Sequence, residues 1–247
     1  GRVVDPKNDR DEILDVFING SIIERIDKNI REKGENIYVI DASELVVSPG
    51  LIDVHVHLRE PGYEYKESIK TGTMAAVKGG FTSVVCMANT DPVNDNKSVT
   101  EYIIKKAKSE GACRVLPCGA ITKGLNGKEL AEIGEMFEAG IVAISDDGKS
   151  VKNSETLRRA LEYAKLFGIP IISHCEDDDF SKGSVHEGGA SVISGLDPIP
   201  AIAEEIIVKR DMTIAKYVRA PIHLTHISSR GSIEAIGEMK RKYDMVT

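Results

Sequence analysis

Pro49-Gly50-Leu51-Ile52-Asp53-Val54-His55-Val56-His57-Leu58-Arg59-Glu60-Pro61-Gly62 is the stretch that decides the fold. An apolar run ends in two histidines spaced i, i+2. In an extended strand that spacing turns both imidazoles to one face, where a cation can sit between their inward nitrogens. Arg59 follows two residues later, on the histidines' face if the extended geometry continues. Pro61-Gly62 then turns the chain away. Taken alone, a His-x-His pair is more often two packed or solvent-facing histidines, so the reading depends on what the rest of the chain adds.

Downstream of this strand the texture is regular alternation. Apolar, Val/Ile-rich runs lie at 51–57, 82–87, 113–118, 141–145, 169–173 and 222–225. Between them, helix-period segments cover roughly 66–78, 98–110, 128–139, 154–167 and 199–217, with 231–242 after the last run. Gly111, Gly140 and Gly168 stand where helix C-caps fall, and Asn153 or Ser154 can cap the fourth helix. Near-continuous apolar strands are those of a parallel sheet buried on both faces. The chain is therefore expected to be an α/β protein, a closed barrel or a doubly wound sheet. Six units are counted, and Asp244-Met245-Val246-Thr247 reads as the start of a seventh strand. An eight-unit barrel would continue beyond Thr247.

Upstream, residues 1–48 read differently. Short β-like segments at 13–18, 21–26 and 37–40 have no helical stretch between them, and Asn19-Gly20 marks a hairpin. A small antiparallel β unit is expected, incomplete because Gly1 opens inside a turn-like phrase. The expected domains are thus a partial small β-sandwich domain at 1–48 and a barrel at 49–247 that stops before strands seven and eight are complete.

Composition narrows the function classes. The 247 residues carry a net charge of −7, are 41% hydrophobic and include no Trp. The acidic balance argues against nucleic acid as the main partner, and no apolar run reaches the roughly 18 residues of a membrane span. No signal peptide is visible in the opening residues. Cys86, Cys113, Cys118 and Cys175 form no Cys-x-x-Cys pair, and reduced core thiols in a cytoplasmic protein are expected. The segment 175–198 is an inserted loop, whose acidic run Glu176-Asp177-Asp178-Asp179 reads as solvated and whose His186 does not read as a ligand.

Active sites of (β/α)8 barrels are built at the carboxyl ends of the strands. Those ends carry His55, His57 and Arg59; Asn89 and Asp91; Asp146 and Asp147; His174; and His223 and His226. Each has an ordinary reading alone, as a turn former or a core histidine. The order His-x-His, Asp, His, His across four strand ends is much harder to obtain by accident. Four imidazoles and a carboxylate exceed the needs of one tetrahedral zinc and suit two metal ions sharing a bridging carboxylate. The tip rule favours His226 over His223, which reads as a packing residue. The strand pattern does not choose between Asp146 and Asp147.

The first motif, together with Cys86-Met87-Ala88-Asn89-Thr90-Asp91-Pro92, Ser145-Asp146-Asp147-Gly148, His174-Cys175-Glu176-Asp177 and His223-Leu224-Thr225-His226, resembles the class I dihydroorotases of the amidohydrolase superfamily. The resemblance covers essentially the whole chain in the family's order. It implies a TIM-type barrel with two zinc ions, one held by His55 and His57 and one by His174 and His226, with Asp147 joining them. It also implies that Arg59 and Asn89 hold the carboxylate of dihydroorotate, which suits a planar guanidinium and an amide NH₂. The related hydantoinases and dihydropyrimidinases usually carry a carboxylated lysine as bridging ligand, and the fourth strand here has none. The family's catalytic aspartate at the end of strand eight would lie beyond Thr247, so no catalytic acid is expected within this chain, and residues 1–247 alone are expected to be inactive.

The implied reaction is reversible hydrolysis of dihydroorotate to N-carbamoyl-aspartate in pyrimidine biosynthesis. The implied partners are that substrate and a second copy or an aspartate carbamoyltransferase. Two rivals remain: a hydantoinase-like cyclic amidase, which gains nothing from Arg59, and a non-catalytic subunit that scaffolds a carbamoyltransferase, which would have lost ligands.

Overall fold

A computed structural model of the chain describes residues 1–32 and 34–247. Two units are distinguished, Gly1–Leu51 and Ile52–Thr247.

In the first unit, β1 (Arg2–Asp5) lies between β2 (Arg10–Ile13) and β5 (Val46–Val47), antiparallel to the former and parallel to the latter. β3 (Asp15–Asn19) and β4 (Ile22–Asp27) form a separate antiparallel hairpin. It turns at the expected place, where Gly20 takes the left-handed conformation at φ 61°, which costs glycine little. Three expectations are corrected. The opening residues are strand β1 rather than a turn. The three-stranded sheet is mixed rather than antiparallel, because its third strand is only two residues long and left no readable pattern. Residues 37–40 are not a strand: the apolar run has β propensity, but among the described residues no strand pairs with it and Tyr38 is 87% exposed. Propensity without a pairing edge does not make a strand.

The second unit alternates strand and helix: β6 (Leu51–Val56), α1 (Ile69–Lys78), β7 (Phe81–Cys86), α2 (Lys97–Glu110), β8 (Arg114–Gly119), α3 (Ile133–Ala139), β9 (Ala143–Ile144), α4 (Ser154–Leu166) and β10 (Ile171–Ser173). An excursion follows, comprising β11 (Val185–His186), α5 (Gly189–Ser194) and β12 (Pro198–Ile199). Then come α6 (Ile202–Val218), β13 (Ile222–Leu224) and α7 (Arg230–Lys240). The excursion was expected as plain loop. It holds a two-stranded parallel pair, β11 with β12, too short to show a period.

The six major strands form one parallel sheet in the order β6-β7-β8-β9-β10-β13. Spatial order follows chain order and never reverses, which is the winding of a barrel and not of a doubly wound sheet. Past α7, Met245–Thr247 runs alongside β13. Ile222 N–H donates to Met245 O at 3.0 Å, and Leu224 N–H to Thr247 O at 2.9 Å. All six strands therefore present their carboxyl ends at one end of the sheet.

The helices start and stop where their caps dictate. Ser68 accepts from Thr71 N–H at 3.2 Å and starts α1, and Asn153 rather than Ser154 caps α4, accepting from Glu155 N–H and Thr156 N–H. Gly140 ends α3 in the left-handed region, whereas Gly111 after α2 is extended. Leu157, Ala160, Leu161 and Ala164 of α4 share a core with Ile207, Val208, Met212 and Ala215 of α6. Each large side chain so buried contributes about 1.5–3 kcal/mol, so Leu161→Ala would cost roughly 2–5 kcal/mol. Among the described residues no helix is long and apolar enough to cross a membrane, and all four cysteines are free thiols.

Candidate metal centre

His55 lies inside β6 and His57 one residue past it, so the i, i+2 spacing puts both rings on one face. Their centroids are 5.2 Å apart. Both Nε2 atoms meet the carboxylate of Asp147, which follows β9: His55 Nε2 is 3.3 Å from Oδ1 and His57 Nε2 is 3.5 Å from Oδ2. His174, just after β10, brings Nδ1 to 3.4 Å from Asp147 Oδ1 and to 3.0 Å from His226 Nε2. His226, two residues after β13 and left-handed at φ 41°, brings Nε2 to 3.4 Å from the same oxygen. Two donor groups result, His55–His57–Asp147 and Asp147–His174–His226, with the ligand atoms of each within 4.8 Å of one another.

The outward nitrogens show which way the lone pairs face. His57 Nδ1–H donates to Asn89 Oδ1 at 3.0 Å, and His174 Nε2–H donates to Glu176 Oε2 at 3.3 Å. An amide oxygen and a carboxylate only accept, so each places the proton outward and leaves the inner nitrogen's lone pair free. His55 Nδ1 lies 2.7 Å from Thr225 Oγ1, which can accept in the same way. Inward lone pairs on two sides of a shared carboxylate fit two metal ions joined by Asp147.

The adjacent aspartates divide the work. Asp146 turns away and accepts from Ile121 N–H at 2.8 Å, from Thr122 N–H at 3.0 Å and from the Thr122 hydroxyl. It fixes the loop after β8, and burial pushes its carboxyl up despite those donors. Burial would raise Asp147 too, but the rings of His174, His226 and His55 that face it, when protonated, outweigh burial and hold the carboxyl well below the usual range. Burial lowers His57, with Asn89 and Asp147 opposing. In His174 burial also pulls down, but Asp147 and Glu176 outweigh it and the pKa is raised.

Arg59 does not reach the site by continued strand geometry. β6 ends at Val56, Leu58 is buried, and Arg59 is left-handed at φ 61°. Its charge still bears on His57, lowering it. The turn that carries Arg59 is fixed on both sides. Buried Glu60 accepts from Ile69 N–H at 2.9 Å and from the Tyr102 hydroxyl at 3.2 Å, and Asp91 N–H donates to Pro61 O at 3.0 Å. A Cβ on Gly62 would lie 2.0 Å from Asp91 O. Only glycine lets this turn pack against the loop that presents Asn89.

Asn89 itself sits on the ligands, with Nδ2 3.3 Å from Asp147 Oδ2 in addition to its contact with His57. His223 stands outside both donor groups, with Nδ1 3.0 Å from Thr247 Oγ1. His186 lies on β11, also outside them. With His174, His226, Glu176 and Glu204 it lines a cavity of about 310 Å³. Thr225, Glu176 and Ser150 were not singled out from the sequence. Thr225 and Glu176 lie within quoted motifs, adjacent to or two residues from a histidine, which was the available signal. Ser150 had none.

A parallel barrel sheet with histidines and a shared aspartate at its strand ends is the arrangement of the amidohydrolase superfamily. Comparison with known proteins narrows this. A profile of the Dihydro-orotase-like family matches residues 44–232, and the chain belongs to that family. It is 52% identical to the dihydroorotase of Acetivibrio thermocellus and 51% identical to that of Syntrophobacter fumaroxidans, over 100% of its own length in both cases. It covers 58% and 57% of those relatives, so it spans a little over half their length. Among solved structures, an L-hydantoinase from Arthrobacter aurescens matches over 99% of this chain and 55% of its own, with TM-score 0.83 at 18% identity. A D-hydantoinase from Thermus sp. matches with TM-score 0.75 at 23% identity. At those identities the likeness is one of fold.

Proposed function

We propose that this chain carries the metal-binding part of a zinc-dependent dihydroorotase, which reversibly hydrolyses the ring amide of dihydroorotate to N-carbamoyl-aspartate in the cytoplasm. The observation that carries the reading is the convergence of four imidazoles on the Asp147 carboxylate. His55, His57 and Asp147 would hold one zinc, and Asp147, His174 and His226 the other. What two bound zinc ions supply is polarisation of the amide carbonyl and activation of the attacking water.

The chain's own residues do the rest. Arg59 offers a planar, permanently charged fork to the substrate carboxylate. Asn89 Nδ2 bears two N–H groups; one faces Asp147 and the other is available to the same carboxylate. Asn89 keeps the proton of His57 on its outward nitrogen, and Thr225 can accept the proton of His55 in the same way, so that neither ring need present an N–H to the metal side. The leaving nitrogen needs a proton, and we assign its donor to an aspartate outside residues 1–247. A second copy or a carbamoyltransferase is the proposed partner.

The test is substrate choice by the full chain, meaning the longer protein that contains residues 1–247 together with the proposed aspartate. Charge-assisted hydrogen bonds are worth about 1.5–3 kcal/mol. Arg59→Met should therefore lower kcat/KM for dihydroorotate by roughly 10–100-fold, with metal content unchanged and partial rescue by Arg59→Lys. Neutral dihydrouracil should be a poor substrate of both. Equal turnover of the two rings, or an Arg59→Met enzyme that keeps full dihydroorotate activity, would hand the assignment to a hydantoinase-like amidase. Absence of any hydrolysis by a zinc-loaded full chain would favour the scaffolding subunit.

A further inference from the structure

Glu176 opens the acidic run Glu176-Asp177-Asp178-Asp179, and the structure separates it from its neighbours. Asp178 pairs with Lys152 at 3.1 Å, and Asp179 lies 3.8 Å from Lys182, both at the surface. The Asp177 carboxylate accepts from Asp179 N–H. Glu176 alone turns back to the site, with Oε2 3.3 Å from His174 Nε2. We propose that Glu176 is the positioning residue of the second metal position, acting through His174. The proposal rests on the two-metal reading above.

Three observations support it. First, His174 is the first residue past β10 and has no second ligand on its own strand, so strand geometry does not choose which of its ring nitrogens faces inward. Something else must choose which nitrogen faces Asp147 and His226. Second, Glu176 is the acceptor at His174 Nε2, and a carboxylate cannot donate. It therefore keeps the proton on Nε2 and the lone pair on Nδ1, and it makes Nδ1 a stronger donor to a metal. In the other tautomer an N–H would point at the ion's position. Third, the backbone of Glu176 is pinned. Its N–H donates to Ser150 Oγ at 3.0 Å, and the same hydroxyl lies 2.7 Å from His174 O. Ser150 is buried and only three residues past Asp147. One hydroxyl thus ties the loop bearing Asp147 to the loop bearing His174 and Glu176, and the carboxylate is held in register with the ring it orients.

The experiment uses the full chain as parent, Glu176→Ala, Glu176→Gln and Asp178→Ala. Zn²⁺ is titrated into each metal-free protein against a chromophoric chelator, and the visible spectrum of the Co²⁺-loaded forms is recorded. The parent should take up two ions. Glu176→Ala should bind one ion like the parent and the other about 10–100-fold more weakly, the usual size of such outer effects, with the Co²⁺ bands of the weakened ion altered. Glu176→Gln should fall between, because its amide oxygen accepts without a charge. Asp178→Ala should match the parent. Two parent-like affinities in Glu176→Ala would overturn the proposal, as would an equal loss in Asp178→Ala. If Glu176→Ala does not fold, Glu176→Gln decides: weakening of one ion supports the proposal, and two parent-like affinities overturn it. A parent that binds fewer than two ions would instead refute the metal centre itself.

Discussion

His55 and His57 come from one strand and the residue directly after it, whereas His174 and His226 come from the ends of two separate strands, one and two residues past them. On the first side the backbone sets both rings, since alternate residues of one strand share a face. On the second side each ring depends on side chains that tie its loop. Ser150 and Glu176 hold His174. Glu204 accepts from Ser228 N–H and Ser229 N–H at 2.9 Å each, steadying the segment after His226. Asp147 stands between the two sides and touches both. The relative placement of the first pair is thus a property of one strand, and that of the second pair depends on hydrogen bonds between loops. Substitutions should separate the halves accordingly.

Asp147→Asn should have the largest effect. The amide removes the shared charge and presents an N–H group to lone-pair-bearing imidazoles. Both ions should be lost on desalting, with affinities lowered by more than the roughly 10–100-fold typical of residues outside the ligand set. Metal analysis of the purified full chain reads this directly. If one ion stays firmly bound, the two sides do not share Asp147.

Ser150→Ala is the next step down and should touch one side only. It leaves Glu176 N–H without its buried partner, a loss of about 1–3 kcal/mol. The ion at His174 and His226 should weaken by up to roughly tenfold, while the ion at His55 and His57 keeps its affinity. Equal weakening of both in a chelator titration would erase the distinction between strand-borne and loop-borne ligands.

Asp146→Asn should have the smallest effect on the metals. Its side chain meets only donors, from Ile121 and Thr122. An amide there must turn its NH₂ to the Thr122 hydroxyl, which then has to accept instead of donate, so the cost falls on stability, again about 1–3 kcal/mol. The melting temperature should drop by several degrees, with two ions still bound. Loss of metal in this variant at a temperature where it remains folded would show that the two aspartates do not divide as described.

The same contrast explains what could be read from the sequence. The six barrel strands and their helices were legible because each strand is covered by the helices that neighbour it in sequence, so burial leaves a local pattern. The His-x-His pair was legible because its geometry is fixed by a period of two. The choice between Asp146 and Asp147 was not, since both neighbours are buried and their directions are set by partners far away in sequence, Thr122 for one and His174 for the other. Glu176 and Ser150 escaped notice for that reason: their roles depend on where two loops meet. Arg59 was assigned to the histidines' face by extending the strand, and the left-handed turn beginning there breaks that inference. In residues 1–51, the run 37–40 misled because apolar, β-branched composition was read as pairing where, among the described residues, no strand lies alongside.

The central claim is that one carboxylate, Asp147, joins two metal ions held by four histidines from three strand ends. Crystals of the full chain grown with Zn²⁺ and measured at the zinc absorption edge test it most directly. The account predicts two anomalous peaks roughly 3.5–4 Å apart, one beside His55 and His57, one beside His174 and His226, with an Asp147 oxygen facing each. A single peak, or two peaks with Asp147 bound to only one of them, would contradict it.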